Sequence, residues 1–111
     1  MTYVFDIDGT ILNTKGMDYN NSTPIASRIQ KVNELYDSGC EIIFLTARGM
    51  GRTDGDVSKS YELFYDLTKS QLDKFGVKYH RLFLGKPSGD IYIDDKGISD
   101  KDFFDRVCEN E

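Results

Sequence analysis

Two aspartates, two residues apart, follow an apolar run close to the start of the chain. Asp6 and Asp8 come after Tyr3-Val4-Phe5, a β-branched and aromatic run that favours a buried strand. Side chains two apart along a strand point the same way, so both carboxylates should share one face. Like charges there cost free energy unless a cation or a proton lies between them, and Mg²⁺ prefers oxygen ligands. The pattern therefore predicts a magnesium site, although an ordinary strand-end turn at Gly9-Thr10 uses the same residue types.

A second acidic pair repeats this arrangement near the end of the chain. Asp94 and Asp95 follow Ile91-Tyr92-Ile93, which is predicted to form a short fourth strand. If the strands are neighbours in a parallel sheet, four carboxylates converge at one edge. Two such charges 4 Å apart repel by roughly 4 kcal/mol at an effective dielectric constant of about 20, which a divalent cation and Lys86 would offset. A metal held in this way attracts a phosphate group, because it bridges protein and substrate oxygens.

The elements between the two pairs alternate between helix and strand. Hydroxyl, proline and glycine signals mark the helix ends, and apolar runs mark the strands. The predicted elements are a helix from Ser22-Thr23-Pro24 to Gly39, a strand over Glu41–Thr46, a helix over about 58–75, a strand over Tyr79–Leu84 and a helix from about Asp100. The order predicts one α/β domain over residues 1–111, with a parallel sheet. The strand over Glu41–Thr46 is apolar throughout, which favours cover on both faces.

Thr46, Ala47 and Arg48 end the second strand and should lie on the same rim as the first acidic pair. A threonine hydroxyl with nearby backbone N–H groups can hold a phosphate oxygen, although capping a helix or loop is its more common role. Arg48 and Arg52 could contact an anionic substrate, while pairing with a neighbouring aspartate is at least as expected for Arg52.

Composition limits the remaining possibilities. The chain has 111 residues and a net charge of −5, which disfavours a nucleic-acid backbone as partner. No apolar run reaches membrane-spanning length. Cys40 and Cys108 belong to no CxxC pattern and are predicted to be reduced, which favours a cytoplasmic location. His80, the one histidine, falls early in its strand, away from the predicted rim, and is predicted to be structural or exposed.

The motifs, in their order along the chain, resemble the haloacid dehalogenase superfamily of phosphohydrolases. The matching residues are Asp6-Ile7-Asp8-Gly9-Thr10, Thr46, Lys86 and Asp94-Asp95. The longer stretches Thr46–Gly51 and Gly85–Lys96 are similar to small bacterial phosphatases associated with capsular polysaccharide biosynthesis. The resemblance implies a Rossmann-like three-layer α/β/α sandwich with a central, mainly parallel sheet and no cap domain. It also implies a magnesium-dependent phosphomonoesterase acting on a sugar phosphate.

The resemblance assigns catalytic roles to three residues. Asp6 would be the nucleophile that forms an aspartyl-phosphate, and Asp8 would protonate the leaving group and later activate water. Lys86 would neutralise charge between Asp6 and the phosphoryl oxygens. Most relatives have a helix between the lysine and the second acidic pair, whereas here seven residues separate Lys86 from Asp94. Lys96 is therefore the alternative active-site lysine.

The resemblance also implies a binding set. Thr46, with its neighbours Ala47 and Arg48, would bind the transferring phosphoryl group. The implied ligands of Mg²⁺ are Asp6, the backbone carbonyl of Asp8, Asp94 and Asp95, the last either directly or through a metal-bound water.

Two other functions stay open from the sequence. One is a nucleic-acid 3′-phosphatase, which an open site would admit but an acidic chain disfavours. The other is a non-enzymatic phospho-acceptor module, since receiver domains also combine acidic residues, a Thr or Ser, a Lys and Mg²⁺ on a parallel sheet. No insertion is long enough for a cap, so the site would be covered by the loops 13–21 and 49–57, by a large substrate or by another subunit of a homo-oligomer.

Overall fold

The computed structural model describes residues 1–109, and of residues 107–109 only the backbone. In that part the elements are β1 (Thr2–Phe5), β2 (Leu12–Asn13), β3 (Thr23–Pro24), α1 (Ala26–Asp37), β4 (Glu41–Thr46), α2 (Val57–Lys74), β5 (Arg81–Leu84) and α3 (Asp100–Glu109). A 3₁₀ turn, Tyr19–Asn21, lies between β2 and β3. The predictions for the Cys108 thiol and for residues 110–111 fall outside the described part.

The central sheet consists of three parallel strands in the order β1-β4-β5. Val4 lies opposite Ile43 in one pair, and Phe44 lies opposite Leu82 in the other. Both connections cross the sheet in the same direction, and right-handed crossovers of this kind place α1 and α2 on the same face. The carboxyl ends of all three strands therefore meet at one edge of the sheet, where the predicted site residues follow them.

The core lies on the face of the sheet that the helices cover. Its buried members are Phe5, Ile42, Phe44, Leu82 and Leu84 of the sheet, Ile29 and Val32 of α1, Leu72 of α2 and Phe104 of α3, together with Ile7, Ile11, Leu12 and Val77. Full burial of an aliphatic or aromatic side chain contributes about 1.5–3 kcal/mol. On the opposite face Val4 is 60% exposed and Phe83 is 42% exposed. β4 thus alternates between buried and half-buried residues, whereas its apolar run predicted cover on both faces.

The predicted α/β class, with a Rossmann-like arrangement around a parallel sheet and no cap domain, is confirmed. The second helix, predicted over about 58–75, is Val57–Lys74. The predicted start of the first helix is wrong. Thr23–Pro24 form β3, which pairs with β2, and the helix begins at Ala26. The hairpin uses the residues whose types suggested a helix cap.

The predicted fourth strand is also wrong. Residues 91–93 have no strand partner in the described chain, and Ile91 and Ile93 are 78% and 91% exposed. The Tyr92 hydroxyl accepts a hydrogen bond from the Gly89 N–H at 2.9 Å and donates one to the Pro87 carbonyl at 2.5 Å. These local bonds fold the segment back on itself, so an extended strand does not form there.

None of the helices in the described residues is long and apolar enough to cross a membrane.

Candidate active site

Asp6 and Lys86 meet at the carboxyl edge of the sheet. Asp6 directly follows β1, and its Oδ1 lies 3.9 Å from Nζ of Lys86, which follows β5. The Lys86 backbone N–H donates to the Thr46 carbonyl at 3.2 Å, so the end of β4 lies between them. Three of the predicted site residues are therefore brought together by three neighbouring strands. Of the two candidate lysines, the structure pairs Lys86 with Asp6, whereas Lys96 lies in an exposed turn.

The Asp6 carboxyl is half-buried and carries an unfavourable charge. Burial raises its pKa above the ordinary value of 3.8, the Lys86 ammonium opposes this, and the nearby Asp8 charge raises the pKa further. The net direction is upward, so the ionised carboxylate is less stable here than in water. A half-buried carboxylate beside one lysine is typical of a group that reacts or that binds a cation.

Asp8 is held by more hydrogen bonds than Asp6. Its Oδ2 accepts from Nε of Arg48 at 2.9 Å, and its Oδ1 accepts from Nη2 of the same guanidinium at 2.8 Å. The Thr14 hydroxyl donates to Oδ1 at 2.6 Å and is 2.6 Å from the Ser22 hydroxyl. Since Thr14 has one hydroxyl proton to give, Ser22 donates to Thr14. The hairpin between β2 and β3 thus reaches Asp8.

The three residues predicted to bind a phosphoryl group differ in their exposure. Thr46 is buried, and its Oγ1 accepts the backbone N–H of Arg48 at 3.2 Å. Ala47 is half-buried, and its carbonyl accepts the N–H of Met50 in a turn. The Arg48 side chain is fully buried and is paired with Asp8, so in this structure it does not face the mouth of the site where a substrate would arrive.

The second acidic pair does not join the first. Asp94 and Asp95 are exposed, and Oδ1 of Asp94 accepts the backbone N–H groups of Lys96 and Gly97. These two bonds lower the pKa of Asp94. Within the described residues, no three or more His, Cys, Asp or Glu side chains lie close enough to hold a metal ion together. The predicted convergence of four carboxylates is not found here.

The positions of these carboxylates determine how well the site fits Mg²⁺. The Asp6 carboxylate is half-buried, and Lys86 is its one counter-charge among the described residues, so a hard cation would relieve its burial. The other two implied carboxylate ligands lie in the exposed segment. The donor set in this conformation is therefore incomplete for magnesium.

Several residues around Asp8 are not apparent from the sequence. Nη1 of Arg48 donates to the Thr68 hydroxyl at 3.1 Å and to Oε1 of Gln71 at 2.6 Å. Both α2 residues are buried. The sequence contains one signal for these two residues, which is their spacing. Thr68, Gln71 and Leu72 lie on one face of the helix, and polar residues on an otherwise apolar face need buried hydrogen-bond partners.

A pocket of about 220 Å³ opens beside this network. It is lined by Met17, Tyr19, Asn20, Gly49, Arg52 and Phe64. The Tyr19 and Phe64 rings meet edge to face at 5.2 Å, and the Arg52 guanidinium lies 5.9 Å from the Phe64 ring. Gly49 has φ +83°, and a Cβ there would lie 2.8 Å from the Phe64 ring. Glycine therefore allows the loop after β4 to approach α2 closely at this wall.

His80 lies at the opposite end of β5 from Lys86. It is exposed, its Nδ1 accepts the Ile42 N–H at 3.1 Å, and its ring stacks on Tyr36 at 4.6 Å. The prediction that His80 is structural or exposed is confirmed.

Comparison with known proteins gives a fold relative and no functional name. No family model matches the chain, and no curated protein matches it. The chain is similar to a Vibrio cholerae protein of known crystal structure, which carries only a target designation. The two share 29% sequence identity, with a TM-score of 0.87 over 97% of this chain and 94% of that one. The likeness extends over nearly the whole of both chains and supports the α/β fold.

Proposed function

We propose that the chain is a magnesium-dependent phosphomonoester hydrolase that works through an aspartyl-phosphate intermediate. The observation that carries this proposal is the approach of Asp6 Oδ1 to Lys86 Nζ, 3.9 Å, at the edge where Asp8 and Thr46 also lie. A half-buried carboxylate next to a cation can attack a phosphorus atom while the cation offsets the charge on the phosphoryl oxygens. Haloacid dehalogenase resemblance supplies the same roles for these residues.

Each proposed step uses groups of this chain. In the first step an Asp6 oxygen forms a bond to phosphorus, the bond from phosphorus to the leaving oxygen breaks, and Asp8 gives that oxygen a proton. In the second step a water oxygen attacks phosphorus and passes its proton to Asp8, and the Asp6–phosphorus bond breaks. Thr46 and the backbone N–H groups after it would bind the phosphoryl oxygens. Inorganic phosphate leaves and both carboxyl groups return to their starting states.

Magnesium is part of the proposal, but its full ligand set is not assembled in this conformation. Asp6 and the backbone carbonyl of Asp8 would hold it from one side, and it would neutralise phosphoryl charge. Asp94 and Asp95 would join only if the exposed segment 88–98 rearranged. The exposed Ile91 and Ile93 favour such a rearrangement, because large apolar side chains gain free energy when they are covered.

The substrate we propose is a small phosphorylated molecule, most simply a sugar phosphate. The pocket of about 220 Å³ is smaller than the roughly 300–1,000 Å³ that suits a drug-sized ligand. Aromatic faces, the Asn20 amide and the Arg52 cation would suit a polar ring. From the resemblance we also propose a role in cytoplasmic polysaccharide biosynthesis and a homo-oligomer that covers the open site.

Phosphate release tests the proposal. Wild-type protein should hydrolyse p-nitrophenyl phosphate and hexose phosphates with Mg²⁺ and stop when EDTA is added. Asp6→Asn should lower the rate by at least about 10³-fold, because loss of a nucleophile leaves only binding effects. Asp73→Asn, which removes a surface carboxylate paired with Lys69, is the matched control and should keep its activity. Hydrolysis that survives in Asp6→Asn would exclude Asp6 as the nucleophile.

One observation favours a second candidate, the phospho-acceptor module. Asp8 is paired with Arg48 through two hydrogen bonds, and such a pair also suits an aspartate that only stabilises the fold and transfers no proton. In that case Asp6 would form a long-lived acyl-phosphate with little turnover. The test is to add a phosphoryl donor, stop samples with acid over several minutes and measure the phosphorylated chain. Phosphorylated chain that accumulates without release of phosphate would favour the phospho-acceptor.

A further inference from the structure

Arg48 is a fully buried cation, and its burial needs an explanation. Its side chain has 0% exposure, and removing such a charge from water costs several kcal/mol unless it is paired. Each guanidinium nitrogen has a partner. Nε and Nη2 donate to the two oxygens of Asp8, and Nη1 donates to Thr68 and Gln71. The guanidinium therefore joins the loop after β4, the Asp8 carboxylate and α2.

The pair fixes the direction of the Asp8 carboxylate. Two parallel hydrogen bonds from one planar guanidinium set both the position and the plane of a carboxylate, which a single bond does not. Among the described residues, Oδ1 accepts from Arg48 and from Thr14, whereas Oδ2 accepts only from Arg48. Oδ2 consequently keeps a lone pair available. The side chain of Asp8 is 25% exposed, so it is not sealed from the site as Arg48 is.

The same guanidinium also reaches the hairpin that borders the pocket. Its Cζ lies 4.8 Å from the Tyr19 ring, and the Gln71 side-chain amide donates to the Tyr19 carbonyl at 2.5 Å. Thr14, from the other part of the hairpin, binds Asp8 directly. Arg48 and its partners thus tie α2 to both ends of the segment 14–19. A residue that contacted substrate phosphate would not need these contacts.

We propose that Arg48 is a positioning residue for Asp8. It holds Oδ2 in the orientation for giving a proton to the leaving oxygen and later taking one from water, and it ties that orientation to the hairpin 12–22. The catalytic part of this inference rests on the proposed function, whereas the link between Arg48 and the hairpin does not. It replaces the expectation that Arg48 contacts the substrate.

A comparison of leaving groups tests the catalytic part. An alkyl or sugar leaving group needs a proton, whereas p-nitrophenolate leaves well without one. Arg48→Lys keeps the charge but loses the two-pronged geometry. It should lower kcat/KM on a hexose phosphate by about 10²–10⁴-fold, the usual contribution of a general acid, and lower kcat/KM on p-nitrophenyl phosphate much less. This ratio reports the steps up to departure of the leaving group, whereas kcat also includes the second step, in which Asp8 takes a proton from water with either ester.

Other outcomes would overturn the inference. An equal loss of kcat/KM on both esters would make Arg48 a substrate-binding or merely structural residue. In the Asp8→Asn background, Arg48→Lys should add no further loss on the hexose phosphate, because the acid that it positions is already absent. A full additional loss there would contradict the inference.

The matched control is Arg28→Met. Arg28 also pairs with an aspartate, since its Nη1 lies 2.6 Å from Oδ2 of Asp100, and its guanidinium lies over the Phe104 ring. Nη1 also donates to the Thr10 carbonyl at 3.0 Å, and no hydrogen bond or ion pair among the described residues joins Arg28 to Asp8. The variant should lower the free energy of unfolding and leave the ratio of the two kcat/KM values as in wild type. A ratio that changes as in Arg48→Lys would show that any lost arginine–aspartate pair has this effect.

Hydrogen exchange of the metal-free protein tests the link to the hairpin without any activity. In Arg48→Met the amides of residues 12–22 should exchange at least about tenfold faster, while those of β1, β4 and β5 keep their protection. Unchanged exchange in 12–22, or faster exchange everywhere, would overturn the inference. If the wild-type chain hydrolyses neither ester, the proposed function fails by itself, and this measurement still decides whether Arg48 holds the hairpin.

Discussion

Two regions of this molecule share one sequence pattern and have opposite structures. Tyr3-Val4-Phe5 and Ile91-Tyr92-Ile93 are both short apolar runs that end in a pair of aspartates. The first forms β1, pairs along its length with β4 and leads to a half-buried Asp6. The second is exposed, and Asp94 completes a local turn. Strand propensity therefore produces a strand only where a neighbouring strand can pair with the segment and another layer can cover it.

The first region has both a neighbouring strand and a covering helix. Phe5 lies opposite Phe44 in the ladder and contacts the Phe103 and Phe104 rings of α3 at 5.6 and 6.1 Å. The second region has the Lys86 ammonium 4.4 Å from the Tyr92 ring and hydrogen bonds within its own turn. Its contacts among the described residues are local, and Lys86 is the residue that connects it to the site.

Side-chain truncation in each region should give the largest contrast. Phe44→Ala is expected to lower the free energy of unfolding by about 3–5 kcal/mol, because it opens a cavity in the core. Ile93→Ala should change it by less than about 0.5 kcal/mol, because Ile93 is 91% exposed. Urea denaturation measures both. If Ile93→Ala costs more than about 1 kcal/mol, the segment is packed in solution and the contrast is lost.

The Mg²⁺ dependence of activity tests whether the second acidic pair, Asp94 and Asp95, joins the first pair during function. If the proposed function is correct, Asp94→Asn and Asp95→Asn should each raise the Mg²⁺ concentration for half-maximal phosphate release by at least ~10–100-fold. That is the cost of losing a residue that only orients a metal ligand, and a direct ligand should matter at least as much. Asp90→Asn, an exposed carboxylate of the same segment, is the control. Equal behaviour of all three variants would mean that the first region binds the metal without the second.

The pH dependence of stability should show the smallest difference. The raised pKa of Asp6 means that the folded protein binds its proton more tightly than the unfolded chain does. Asp6 therefore stabilises the fold most below its ordinary pKa of 3.8, and this contribution is lost as pH rises through the folded pKa. In EDTA, Asp6→Asn should raise Tm at pH 7, and the gain should shrink as pH falls toward 3.8.

Asp94 provides the counterpart to this measurement. Its pKa is lowered by the two turn hydrogen bonds, so Asp94→Asn should not raise Tm at pH 7. Thermal unfolding followed by circular dichroism at several pH values measures both variants. A Tm gain in Asp94→Asn equal to that in Asp6→Asn would contradict the assignment of a burial cost to Asp6 alone.

Local patterns in the sequence predicted much of this fold. The apolar run at Glu41–Thr46 and the period of α2 are regular enough to define their elements within a residue or so. The parallel strand order follows from strand–helix–strand alternation. Because parallel strands end at one edge, the meeting of Asp6 with Lys86 was also predictable.

The errors fall where two local preferences compete. Ser22-Thr23-Pro24 suits a helix cap and a hairpin strand equally, and pairing with β2 decides for the hairpin. The sequence predicts a substrate contact for Arg48, whereas in the structure its side chain lies in a buried pair with Asp8 and is held by partners in α2. In both cases the deciding group is distant in sequence, so no local window contains it.

The sequence alone determined which residue types stand at the strand ends and in which order, because spacing and side-chain chemistry are local properties of the chain. The tertiary structure alone decided which carboxylates meet. Asp8 lies against Arg48 and Asp94 stays in solvent because contacts between distant segments determine which strand gains a neighbour and which charge gains a partner.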